Sequence, residues 1–136
     1  MTDEWKNRGI ERQEDFSILT AEISKATFGM TPTEYKKFKG LTKENLRDHM
    51  SDLELIFTML GEASTAEIER VSNPSRFPEH QKASGEGGKV ARKARLEIEN
   101  KTKRPVMNKE NYLDEPEKEK RKRLSTRRNR PKELNS

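Results

Sequence analysis

Strong apolar side chains are scarce in this chain, and most of them lie in one stretch between Phe16 and Ile98. Hydrophobic residues make up 29% of the 136 positions and charged residues 39%, against about 45–50% and about 25% in average globular domains. Such a composition leaves room for only a small hydrophobic core. We therefore expect one domain in the middle of the chain, with poorly ordered ends.

Within this stretch the apolar residues recur at helical spacing. A first face runs along Phe16, Leu19, Ile23 and Ala26, and Gly29 provides the stop, because glycine tolerates the left-handed conformation of a helix end. A second, denser stripe predicts a buried helix. It consists of Leu53, Ile56, Phe57 and Leu60.

Two capping boxes mark helix starts between these stripes. The first is Thr31 with Glu34, strengthened by Pro32 at the first helical position. The second is Ser51 with Glu54, which either starts a new helix or lies inside one that runs on from Thr42. We expect Thr42 to cap a helix that contains Leu46 and Met50.

A last long helix is predicted from about Phe77 to Thr102, and Pro105 ends it. Gly85, Gly87 and Gly88 lie in its first half, where each glycine costs about 1 kcal/mol relative to alanine. They indicate either a break or a place where another helix packs very close. We favour close packing, and expect alanine at both Gly87 and Gly88 to destabilise the fold.

Together these patterns predict an all-α fold, a small bundle of about four or five helices in residues 15–115. Residues 1–14 read as a flexible N-terminal arm that pins Trp5 onto the body, and residues 116–136 as a disordered basic tail. The chain has no cysteine and no apolar run near the about 18 residues of a membrane span. Its first residues do not resemble a signal peptide. We expect a cytoplasmic protein without a membrane partner.

Positive charge is concentrated at the C-terminal end. Residues 117–136 hold nine Lys or Arg and three Glu, a net charge of +6, whereas residues 1–116 sum to −1. Disordered basic arms bind nucleic acid non-specifically, although such a tail can also serve solubility alone. The candidate nucleic-acid contacts in the tail are Lys118, Lys120, Arg121, Lys122, Arg123, Arg127, Arg128 and Arg130.

The predicted last helix is also basic, with seven Lys or Arg between residues 89 and 104 against Glu97 and Glu99. This helix either contacts a phosphate backbone or pairs with the acidic stretch 52–69, which has five carboxylates and no basic side chain. We favour the intramolecular pairing. Its candidate nucleic-acid contacts are Lys89, Arg92, Lys93 and Arg95.

No residue pattern supports catalysis. Asp48, His49, Asp52 and Glu54 cluster at a helix junction, and a metal-dependent nuclease site there is a remote alternative. Helix capping and surface salt links explain these residues better. The glycines at 85–88 follow no strand, so they are not a dinucleotide-binding loop. We predict no enzyme activity, catalytic residue, cofactor or metal.

Several segments, taken in order, resemble the C-terminal region of DNA-damage-inducible protein D and of BRO-type prophage antirepressors. The resemblance covers roughly residues 4–115, without the BRO-type N-terminal domain, so we expect a stand-alone version or a split product. The segments are EWKNRG (4–9), LTAEI (19–23), EYKKFKGL (34–41), ENLRDHM (44–50), LEL (53–55), EAST (62–65), EGGKVARKAR (86–95) and PVMNKENYL (105–113).

The resemblance implies a regulatory role in the SOS response to DNA damage or in phage and mobile-element regulation. A protein partner such as a repressor or a recombinase is implied, with nucleic acid contacted non-specifically through the tail. The alternative is direct DNA binding by a helix-turn-helix pair around Leu46–Leu60, although that motif usually has a glycine in its turn.

Overall fold

The computed structural model describes residues 2–10, 12–110 and 117–128, and it is all-α over these ranges. The side chains of 2, 3, 118–120 and 126–128 are not described. A 3-10 turn at Leu46–His49 lies between the third and fourth of six α-helices. The helices are α1 (Thr2–Asn7), α2 (Gln13–Phe28), α3 (Pro32–Phe38), α4 (Asp52–Ser72), α5 (Phe77–Thr102) and α6 (Glu117–Arg128).

The local start and stop signals are confirmed. Gly29 ends α2 in the left-handed conformation with φ 76°. Thr31 and Glu34 form a reciprocal capping box at α3, as do Ser51 and Glu54 at α4. The hydrogen bonds from Thr31 lower the pKa of the Glu34 carboxyl below its usual value.

The expected helix capped by Thr42 is wrong. Asn45 is the cap instead, its side chain accepting from the Arg47 amide at 2.9 Å, and only the single 3-10 turn follows. Ser51 therefore starts a new helix. The 3-10 turn before this helix has only four residues. The region from Leu46 to Leu60 therefore lacks the first of the two helices that a helix-turn-helix needs.

Helices α4 and α5 form an antiparallel hairpin, and α2 packs against both. One set of buried core residues lies where α3 meets α4, and a second lies around α1 and the first half of α2. The first comprises Phe28, Tyr35, Met50, Leu55, Phe57 and Val106. The second comprises Trp5, Ile10, Phe16, Leu19 and Ile23.

The predicted stripe on α4 is only partly buried. Phe57 belongs to the core at 6% exposure, but Leu53 and Ile56 are 44% and 40% exposed. The face that packs inside the bundle instead passes through small and polar residues, Gly61, Thr65 and Glu69. The expectation that Leu53 and Ile56 are core residues is therefore wrong, since α2 and α5 contact α4 on a different side.

Both chain ends contain helix that the sequence did not predict, while the expected docking of Trp5 onto the body is confirmed. Where the sequence indicated an arm, α1 is docked with Trp5 fully buried and its ring stacked on Phe16 at 6.1 Å between centroids. The segment assigned to a disordered tail begins as helix α6, rich in good helix formers and held by ion pairs to the body. Residues 129–136 of the expected tail lie outside the described residues.

Close helix packing at the glycines of α5 is confirmed. A Cβ on Gly87 would lie 2.5 Å from the backbone nitrogen of Thr65 on α4. A Cβ on Gly88 would lie 2.7 Å from the carbonyl oxygen of Ile23 on α2. These are backbone atoms of α4 and α2, so they cannot move aside unless the whole helix shifts.

Alanine at Gly87 is expected to destabilise the fold by about 1–3 kcal/mol, because overpacking outweighs the gain in helix propensity. Gly85→Ala is the matched control. Its added Cβ meets only the Glu22 side chain at 3.5 Å, so it should stabilise the chain by up to about 1 kcal/mol. Urea unfolding measures both, and a Gly87→Ala variant as stable as Gly85→Ala or more so would contradict close packing at Gly87.

Candidate nucleic-acid interface

Three of the predicted nucleic-acid contacts lie together on the outer side of α5. Lys89, Arg92 and Lys93 are exposed at i, i+3 and i+4 of the helix, a spacing that puts their side chains on neighbouring positions of one face. No ion pair to another described residue holds any of them. They therefore present positive charge to solvent, as a phosphate contact requires.

Arg95 does not belong to this surface. It is 7% exposed, its Nε donates to the carbonyl oxygen of Thr27 at 2.9 Å, and its Nη1 donates to Glu99 at 2.9 Å. The carbonyl of Thr27 is in the last turn of α2, where helix carbonyls lack partners within the helix. Arg95 thus joins α5 to the end of α2, and its prediction as a nucleic-acid contact is wrong.

The basic tail is a helix where the structure describes it. Four of the predicted tail contacts lie on α6, but the structure does not describe their side chains: Lys118, Lys120, Arg127 and Arg128. Arg130 lies outside the described residues. Lys122 is exposed. Arg121 pairs with Glu117 at 2.8 Å, and Arg123 pairs with Asp52 at 2.6 Å. These two cations are engaged with carboxylates, unlike Lys89, Arg92 and Lys93 of α5.

The pairing that we favoured between the basic part of α5 and the acidic stretch of α4 is not formed among the described residues. The carboxylates of α4 have other partners because α5 turns its small residues, and not its cations, toward α4. Asp52 pairs with Arg123, Glu54 with Lys39, Glu62 with Arg47, Glu67 with Arg70 and Glu69 with His80.

The carboxylates around the start of α4 act as caps and salt links. Asp48 accepts a hydrogen bond from the backbone nitrogen of Glu117 at 2.8 Å, at the start of α6. Glu54 closes the capping box of α4. Within the described ranges no three His, Asp or Glu side chains come together as a metal site, so the geometry does not support the nuclease alternative.

A buried ion pair that sequence reasoning missed joins α3, α4 and the segment after α5. The Lys39 ammonium donates to Glu54 at 2.8 Å and to the carbonyl oxygens of Asn108 and Glu110 at 2.9 and 2.6 Å. The Tyr35 hydroxyl also donates to Glu54. Both charged side chains are fully buried. The sequence led us to assign Glu54 to helix capping and surface salt links, and nothing local in the sequence points to a buried ion pair.

A second buried polar cluster lies beneath α1. The Glu69 carboxylate accepts from the Trp5 indole N–H at 3.2 Å and contacts Nδ1 of His80 at 2.9 Å. Ser84 lies one turn further along α5, so the cluster contains a hydroxyl, an imidazole and a carboxylate. However, Ser84 Oγ and His80 Nε2 have no hydrogen-bond partner among the described residues, and all of these side chains are fully buried. A nucleophile activated by a base needs both that hydrogen bond and access for a substrate.

A wide groove lies at the other end of the hairpin, between the start of α4, the end of α5 and helix α6. Its volume is about 590 Å³, and Leu53, Ile98 and Val106 form part of its wall together with Arg104 and Arg123. Its lining is mostly apolar with a few charged side chains at the edge. It therefore offers a shallow contact surface.

In the described part of the chain no helix has the length and apolar character that crossing a membrane requires. Comparison with protein-family models, with curated proteins and with solved structures finds no match for this chain.

Proposed function

We propose that this chain is a cytoplasmic, non-catalytic regulatory protein of the DNA-damage response or of prophage and mobile-element control. In this proposal the helical body binds a protein partner, a repressor or a recombinase, while the basic helices contact nucleic acid without sequence preference. The regulatory context and the partner class come from the resemblance to DNA-damage-inducible protein D and BRO-type antirepressors.

The proposed contact with nucleic acid rests on the uneven distribution of charge along the chain. A nearly neutral body is followed by a tail with a net charge of +6, and α5 adds three exposed cations at Lys89, Arg92 and Lys93. No aromatic side chain is interleaved with the tail cations, so contact with phosphate rather than base stacking is the mode that the composition favours.

The protein-partner part is supported by exposed apolar side chains on the hairpin. Leu53 and Ile56 on α4 and Val90 and Leu96 on α5 are 40–46% exposed. Leu53 and Ile56 lie three positions apart on one face of α4, and exposed apolar surface is a common feature of protein interaction sites. The non-catalytic part is supported by the burial of both polar clusters, which leaves their reactive groups without access to a substrate.

Neutralising cations in matched sets tests the nucleic-acid part. Non-specific binding weakens with salt at a log–log slope of about −0.9 per phosphate contact on duplex DNA. We expect glutamine at three tail lysines to flatten this slope by up to about 2.7 and to weaken binding more than the same change on α5. The tail set is Lys118, Lys120 and Lys122, and the α5 set is Lys89, Arg92 and Lys93.

A third set with the same loss of charge serves as the control, because its lysines are exposed on α1, α2 and α3. It consists of Lys6, Lys25 and Lys37, and its replacement should leave the slope almost unchanged. Equal losses in all three variants would mean that net charge alone drives binding. If the α5 variant loses more DNA affinity than the tail variant, the main nucleic-acid interface lies on the body and not on the tail.

A further inference from the structure

Helix α6 is held by polar contacts to the 3-10 turn Leu46–His49 and to Asp52 at the start of α4. The Glu117 backbone nitrogen donates to Asp48 at 2.8 Å, and the Glu117 carboxylate accepts from Arg47 at 3.3 Å. Leu124 of α6 is half-buried and lines a groove with Ile56 and Met59 of α4. Charged side chains thus take part in the attachment of α6 beside this apolar contact.

A further contact is a two-pronged ion pair between Arg123 and Asp52. Arg123 Nη1 donates to Asp52 Oδ2 at 3.1 Å, and Nη2 donates to Oδ1 at 2.6 Å. This is the paired arrangement in which a guanidinium also binds two oxygens of a phosphate. In the docked helix Asp52 thus occupies the donors that Arg123 would offer to nucleic acid.

We propose that Asp52 is an intramolecular competitor of nucleic-acid phosphate, so that α6 exchanges between a docked state on α4 and a state bound to nucleic acid. The inference rests on the proposed nucleic-acid contact of the tail. It adds a regulatory element to that contact, since the body limits the affinity of its own basic helix.

The accessibility of the pair makes such exchange feasible. The side chains of Arg123 and Asp52 are 38% and 35% exposed, so an incoming phosphate can reach the guanidinium without opening the core. Exposed pairs of this type are weak and are screened by salt. A nucleic acid presents many phosphates in a row, and it therefore competes effectively with a single carboxylate.

Asp52→Asn in the full chain tests the competition, with Glu67→Gln as the matched control. Both substitutions remove one negative charge from α4, but among the described residues Glu67 pairs with Arg70 of the same helix and not with α6. We expect Asp52→Asn to tighten duplex DNA binding at low salt roughly 2- to 5-fold relative to the control, the range expected for release of an exposed ion pair. The log–log salt slope should steepen by about 0.9, one phosphate contact.

Adding Arg123→Gln to Asp52→Asn should abolish this gain. A second readout follows α6 without DNA: trypsin should cut after Arg121, Lys122 and Arg123 faster in Asp52→Asn than in Glu67→Gln, while circular dichroism verifies that both variants are folded. Equal DNA affinity and equal cleavage of the two variants would overturn the competition.

The outcomes also separate this inference from the proposed function. A parent chain that fails to bind duplex DNA at any salt concentration overturns both. A parent chain that binds DNA, with Asp52→Asn no tighter than Glu67→Gln, overturns only the competition and leaves the tail as a permanently available contact.

Discussion

Replacement of Lys39 by methionine is expected to lower the free energy of unfolding by about 3–5 kcal/mol, because it leaves a buried carboxylate without its counter-charge. The Glu54 side chain is fully buried, and Lys39 is its ion-pair partner. The same change deprives the carbonyl oxygens of Asn108 and Glu110 of the ammonium that donates to them. Thermal and urea unfolding followed by circular dichroism measure the loss.

Two further variants test whether the loss comes from the uncompensated charge. Lys37→Met removes an exposed lysine from α3 and should change stability by less than about 0.5 kcal/mol. Glu54→Gln combined with Lys39→Met removes both charges and should recover part of the loss, since a neutral amide is less costly to bury. A double variant as unstable as the sum of the single variants would contradict charge pairing as the cause.

Truncation of Phe57 to alanine is expected to cost about 3–5 kcal/mol, as for other buried aromatic side chains. Leu53→Ala on the same helix is the matched comparison, because Leu53 is 44% exposed whereas Phe57 is 6% exposed. We expect it to cost less than about 1 kcal/mol. Urea unfolding distinguishes the two, and equal costs would place the whole predicted stripe in the core.

The comparison between Phe57 and Leu53 shows what the apolar pattern on α4 can predict. The spacing identified a helix and one of its buried residues, because periodicity depends on the chain alone. Which side of that helix faces the bundle depends on where α2 and α5 pack. The buried side of α4 contains Gly61 and Thr65. Their small size permits close approach of the neighbouring helices, but small residues give no hydrophobic signal in the sequence.

Local signals predicted the fold best. Both capping boxes and the left-handed Gly29 involve residues at most a few positions apart, so neighbouring letters are enough to recognise them. The buried polar clusters join residues that are far apart, such as Lys39 with Glu54 or Trp5 with Glu69. A charged residue in a polar sequence is predicted to lie on the surface. Only the folded structure shows which charged residues are buried with a partner.

For the candidate nucleic-acid interface, too, the sequence predicted where charge lies along the chain but not which charged side chains are buried. Composition located positive charge on the tail and on α5, and the structure leaves Lys89, Arg92 and Lys93 exposed. Composition did not distinguish Arg95, which is directed inward to the end of α2. It also indicated disorder where Glu117–Arg128 is helical, because runs of Lys, Arg and Glu are common both in disordered tails and in exposed helices.

The burial of Trp5 gives the molecule an internal optical probe. Trp5 is the only tryptophan of the chain, and its indole lies in α1 against the Glu69 carboxylate with no solvent exposure. Its fluorescence emission should therefore lie at short wavelength while α1 is docked and shift to the red when α1 detaches. A red shift that precedes the loss of helical circular dichroism on heating would reveal local opening of the N-terminal helix before the α2–α4–α5 bundle unfolds.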